Sequence, residues 1–173
     1  MMGAFNLIIP LGSFLSRNYY YRVIQHLKYV LRSKSIDVQR EACRAIANIS
    51  AEYSYAPAIV SAGALQSLVS ALSSPDFLCQ RYAAMGVGNL ACHPSNQKKV
   101  IQEGALPPLI SVAKFDNADL ESQRYAVLAL TNLTGTKANH SILVETGCLK
   151  NCIWYLILLS TCRRMPSTIS SFF

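Results

Sequence analysis

Acidic side chains and histidine are scarce in this sequence. Nine Asp and Glu and three His stand among 173 residues. The histidines, His26, His93 and His140, are scattered, and no pair of carboxylates clusters beside them. That leaves little for proton transfer at an active site. Glycine-rich phosphate loops and nucleophile elbows are also missing. The chain is therefore not expected to be an enzyme, and no cofactor or metal is implied. Six cysteines are present, but no two form a Cys-x-x-Cys pair, so a zinc site is not expected. Long apolar runs are lacking as well. The longest, Ile153 to Leu159, falls far short of a bilayer span. The first residues are apolar but carry no leading basic group, which makes a poor signal peptide. Gly3 follows two Met, and Leu7 stands where a myristoylation signal needs Ser or Thr. A cytoplasmic protein is expected, with nuclear or membrane-peripheral placement as alternatives.

The charge is +7 overall and unevenly spread. Residues 1–50 carry seven Lys or Arg against Asp37 and Glu41, residues 51–135 carry five against six acids, and the tail carries four against Glu145. A basic stripe interleaved with aromatics would point to nucleic acid, and none is visible. Nucleic acid is thus not the expected partner. A composition 51% hydrophobic and 14% charged supports a packed core rather than a disordered tail. Cys43, Cys79, Cys92, Cys148, Cys152 and Cys162 fall mostly on apolar helical positions. They read as reduced core thiols.

The chain does contain a repeat. Val38-Gln-Arg-Glu-Ala-Cys-Arg-Ala-Ile-Ala-Asn-Ile-Ser50 matches Cys79-Gln-Arg-Tyr-Ala-Ala-Met-Gly-Val-Gly-Asn-Leu-Ala91. Both match Ser122-Gln-Arg-Tyr-Ala-Val-Leu-Ala-Leu-Thr-Asn-Leu-Thr134. Gln39, Gln80 and Gln123 align, as do Arg40, Arg81 and Arg124, and Asn48, Asn89 and Asn132. The steps are 41 and 43 residues. Gly63, Gly104 and Gly147, each in a Gly-Ala/Cys-Leu motif, repeat with the same two steps. Two motifs sharing one period are the signature of a solenoid.

Each unit reads as helical. Ala42, Ala45, Ile46 and Ile49 share one helical face, as do Ala83, Gly86, Val87 and Leu90, and Ala126, Ala129, Leu130 and Leu133. Small residues at the first two positions invite close approach of a neighbouring helix. The repeated glycine suits a helix end that needs a left-handed backbone. Pro107 and Pro108 suit the first turn of the helix that follows. The unit is a short helix, a glycine corner, a second helix, a turn and a longer third helix. The turns are Ser73–Asp76 and Phe115–Asp119. One such unit cannot bury its apolar face alone, so the copies must stack.

A unit of about 42 residues reading Gly-Ala-Leu-Pro-Pro-Leu-Ile, then Gln-Arg-Tyr-Ala with Asn-Leu eight positions after the Arg, resembles the armadillo repeat. The resemblance implies an all-α, right-handed α-solenoid with three helices per repeat. Residues 1–20 would be an N-terminal extension. Residues 21–150 would be the array, partial at 21–50, full at 53–92 and 95–134, and partial again at 137–150. Residues 151–173 depart from the repeat and read as an atypical segment or truncated repeat. Phe5, Leu7, Ile8, Ile9 and Phe14 would cover one end. The other end suggests a piece of a longer array or a product of mis-predicted splicing, with an apolar face open to self-association.

In that family the third helices line a concave groove, and the shared Asn grips the backbone of an extended peptide. Carried over, the gripping residues are Asn48, Asn89 and Asn132, unless each amide bonds only within its own repeat. Four residues earlier on the same face stand Arg44, Met85 and Leu128. Eight earlier stand Arg40, Arg81 and Arg124. An Asn ladder beside an Arg row would suit an extended acidic peptide, unless the Arg row is merely solvated or paired with Glu41 or Glu121. Import adaptors of this family place Trp four residues before the Asn to hold Lys stems. Arg44, Met85 and Leu128 stand there instead. The resemblance is therefore to catenin-like or vacuole-associated armadillo scaffolds. A nuclear-transport-type adaptor, or a basic nucleic-acid-binding solenoid, is the alternative.

Overall fold

The computed structural model describes residues 14–114 and 119–148, with side chains from Tyr19 onward. Among these residues there are helices and turns and no strand. The helices are α1 (Phe14–Val30), α2 (Ile36–Ser50), α3 (Ala56–Ser61), α4 (Ala64–Ala71), α5 (Phe77–Ala91), α6 (Pro94–Gln102), α7 (Leu106–Val112), α8 (Leu120–Leu133) and α9 (His140–Glu145). Two 3₁₀ turns, Tyr53–Tyr55 and Lys137–Asn139, precede α3 and α9. The end cover expected from Phe5, Leu7, Ile8 and Ile9, the side chain of Phe14, the turn at 115–118, and segment 149–173 with Cys152 and Cys162 lie outside the described residues.

Sequence chemistry sets the helix ends. Asp76 caps α5 by accepting from the Cys79 N–H at 2.8 Å, and Asp119 caps α8 by accepting from the Ser122 N–H at 3.0 Å. Proline in the first turn opens α3, α6 and α7. Gly63, Gly104 and Gly147 hold φ of 76°, 78° and 71°, the left-handed corner expected of them. α1 is longer than expected. It starts at Phe14, within the segment read as an N-terminal extension.

The three long helices α2, α5 and α8 lie side by side, with α5 in the middle, and α4 and α7 pack against α5 and α8. Ile46, Leu65, Leu68, Leu90, Leu109, Leu130 and Leu133 are buried in one continuous core that runs through every repeat. The small residues do what the spacing predicts. A Cβ at Gly86 would lie 3.2 Å from Leu68 Cδ1 and 3.6 Å from the Ala47 Cα, and one at Gly88 would lie 3.5 Å from the Ala129 Cβ. Neighbouring helices pack that closely because no larger side chain separates them. The result is the right-handed α-solenoid that the repeat implies.

Candidate functional site

The three aligned Asn residues stand in succession along the third helices. The Asn89 amide Nδ2 donates to the Ala47 carbonyl at 3.2 Å and to Ser50 Oγ at 3.1 Å. The Asn132 Nδ2 donates to the Gly88 carbonyl at 3.0 Å and to Cys92 Sγ at 3.0 Å. Ala47 precedes Asn48, and Gly88 precedes Asn89, so each amide reaches back beside its counterpart in the previous repeat. This bond was not foreseen. The amide neither stays within its own repeat nor leaves both its polar ends to a ligand: its N–H₂ ties adjacent repeats. Its Oδ1 remains as an acceptor. Asn48 is exposed.

The Arg row is also engaged. Arg40 straddles the Asp76 carboxylate, Nε to Oδ1 at 3.3 Å and Nη2 to Oδ2 at 2.8 Å, and reaches Asp37 at 2.9 Å. Arg81 does the same to Asp119, at 3.1 and 2.5 Å. Both acids are the helix caps of the following repeat. The Arg40 guanidinium holds the Asp76 carboxyl down at about 2. Arg81 lowers Asp119 in the same way, against the opposing effect of burial. Arg124 pairs within α8 with Glu121, at 3.2 and 2.7 Å, and lies 4.5 Å from the Tyr125 ring centroid. Arg44 pairs with Glu41 on α2. Met85 is half-buried and Leu128 is 44% exposed.

The aligned Gln residues reach the loop ahead of each long helix. Gln39 donates to the Ser33 carbonyl at 2.6 Å, Gln80 to Ser74 at 2.8 Å and Gln123 to Lys114 at 2.9 Å. On the next turn of the solenoid, Gln97 Nε2 bridges the Ala91 and Asn132 carbonyls at 3.0 and 2.9 Å. Asp76 and Asp119 were read from sequence only as turn residues. Their signal was there: each sits where Ser35 does in the first unit, immediately before the long helix.

Among the described residues along this face, Arg40, Arg44, Arg81 and Arg124 pair with Asp37, Glu41, Asp76, Asp119 and Glu121. The face thus offers amide acceptors and apolar side chains between neutralised charges. Among the described residues no group of three or more His, Cys, Asp or Glu is placed to hold a metal. No helix there is long and apolar enough to cross a membrane.

The model of the Armadillo/beta-catenin-like repeat matches residues 21–51, 55–92 and 93–135. The chain belongs to the armadillo repeat family. Similar solved structures include engineered proteins. A designed armadillo repeat protein in complex with the peptide (KR)4 is 28% identical, with a TM-score of 0.72 over 79% of this chain and 58% of that one. Computationally designed armadillo repeat proteins for modular peptide recognition match to the same extent, at 28% and 0.72. Another engineered protein is 30% identical, with a TM-score of 0.71 over 82% of this chain and 56% of that one. This armadillo chain therefore spans between half and two thirds of the length of those structures. No curated protein sequence matches it.

Proposed function

We propose that this armadillo solenoid is a non-enzymatic cytoplasmic scaffold that binds an extended segment of another protein along α2, α5 and α8. One observation carries the reading. Asn48, Asn89 and Asn132 follow one another from repeat to repeat, and Asn89 and Asn132 are fixed by their N–H₂ groups with Oδ1 left to accept. A row of fixed carbonyl acceptors meets the repeating N–H groups of an extended chain without reading its side chains. Fixing the amides in advance removes part of the ordering cost of binding. Likeness to armadillo proteins designed for peptide recognition supports the same reading.

The preference for acidic segments rests on Arg44 and Arg124. Arg44 pairs with Glu41 and Arg124 with Glu121, each a Glu three residues away on the same helix, and such exposed pairs are weak enough for a ligand carboxylate to compete. Arg40 and Arg81 contribute to coupling between repeats instead. Arg44 also disfavours a basic ligand of the (KR)4 kind at the first position.

The test uses the full chain with Asn89→Ala combined with Asn132→Ala. Partners retained by the wild type and lost by this variant, with its folded circular dichroism intact, support the face as the binding surface. An unchanged partner list moves binding elsewhere. Replacing Arg44 and Arg124 by Gln reads the acidic preference separately.

A further inference from the structure

A second recess lies away from the Asn face, and it goes beyond the reading above. The turn between α1 and α2, the helix α4 and the turn between α4 and α5 enclose a cleft of about 550 Å³. Leu31, Ile36 and Ala71 form its apolar wall, and Arg32, Ser67 and Ser70 are among its polar groups. Ser67 is 6% exposed, and its Oγ has no hydrogen-bond partner. A buried hydroxyl left unpaired is costly, so it points to a group that pairs with it.

The solenoid supplies its own comparison. One repeat further on, the equivalent cleft, of about 510 Å³, is lined by Leu72, Gln80, Pro108, Ser111 and Lys114. Pro108 occupies the place of Ser67 there. The repeat therefore folds around an apolar residue at this position, and the Ser67 hydroxyl is not required by packing. The charge of the first cleft is one-sided. Arg32 lines it, and no carboxylate does. Lys34 lies on the same turn, and the two acids that flank lining residues, Asp37 beside Ile36 and Asp76 beside Pro75, both pair with Arg40. A site built from hydroxyls and one guanidinium, with an apolar floor, suits a compact anion bearing several acceptor oxygens.

From this cleft we infer that the protein binds a phosphate group, with Arg32 supplying the charge and Ser67 donating from within. The phosphate is either free or carried on a protein side chain, and the experiment separates the two. The purified chain is titrated with inorganic phosphate and, separately, with O-phosphoserine, at constant ionic strength in chloride, by calorimetry. Saturable one-to-one binding is expected. Arg32→Gln weakens it about tenfold and Ser67→Ala roughly threefold. Ser111→Ala, in the neighbouring cleft, leaves it unchanged. Tighter binding of O-phosphoserine assigns the site to a phosphorylated partner, and equal binding assigns it to the phosphate group alone. Absence of saturable binding, or affinity undiminished in Arg32→Gln, overturns the proposal. So does a Ser67→Ala variant that melts higher and binds phosphate as before, because the hydroxyl then serves no anion. Arg32 is exposed, so its variant remains decisive even if Ser67→Ala folds poorly.

Discussion

Arg81 grips both carboxylate oxygens of Asp119, one repeat away, while the same carboxylate accepts the Ser122 N–H at 3.0 Å. Arg40 and Asp76 repeat the arrangement. One acid thus starts a helix and fastens it to its predecessor. Asp119→Ala removes both functions and should cost about 1 kcal/mol from the lost cap alone, lowering Tm by roughly 2–4 °C. Asp119→Asn keeps the cap acceptor and should fall between wild type and Ala in thermal melts followed by circular dichroism.

Acid should loosen the stack. Asp76 titrates at about 2 in the folded chain, below the ordinary aspartate value near 4. A depressed folded pKa contributes stability that is present above the unfolded value and lost as pH falls toward the folded one. Melting temperature should therefore decline between about pH 4 and pH 2. The slope should be shallower in Arg40→Gln, which releases the Asp76 carboxyl. Equal slopes in the two proteins would remove Arg40 as the cause.

Glycine substitutions should separate backbone strain from crowding. At Gly104 a new Cβ meets nothing within 4 Å, but φ is +78°, so Gly104→Ala should cost about 1 kcal/mol from the left-handed backbone alone. Gly86 is helical, and its Cβ would press on Leu68, which is fully buried. Gly86→Ala should cost about 1–2 kcal/mol through overpacking. Urea unfolding gives both values, and a neutral Gly86→Ala would show that α4 yields.

Thiol reactivity should follow burial. Burial, the largest cause, pushes the Cys43 thiol up to about 12, whereas Cys92 is exposed. A thiol reagent at neutral pH should modify Cys92 in the folded chain and reach Cys43 only on unfolding. Peptide mapping by mass spectrometry reads the order directly.

Most of the fold was legible because the repeat states it three times. The shared Ala and Gly positions, the Leu and Ile face and the corner glycines each carry a local rule that the stack then satisfies. The Asn residues were legible as a row, but the destination of their N–H₂ groups was not. Ala47 and Gly88 offer backbone carbonyls, and a backbone acceptor leaves no mark in side-chain identity. The acid partners of Arg40 and Arg81 were not legible for a different reason. Asp76 lies 36 residues beyond Arg40, and only the pitch of the solenoid brings a helix cap under the preceding Arg. Ser67 had no sequence signal, since its isolation appears only once its neighbours are placed.

The long helices are clasped at both extremities. At their beginnings Arg40 and Arg81 reach forward to the next unit, and at their ends Asn89 and Asn132 reach back to the previous one. Two clasps pulling in opposite senses resist both sliding and fanning of adjacent rods. Under a pulling load the edge formed by the long helices would therefore resist shear in either direction, like a rail pinned from both sides.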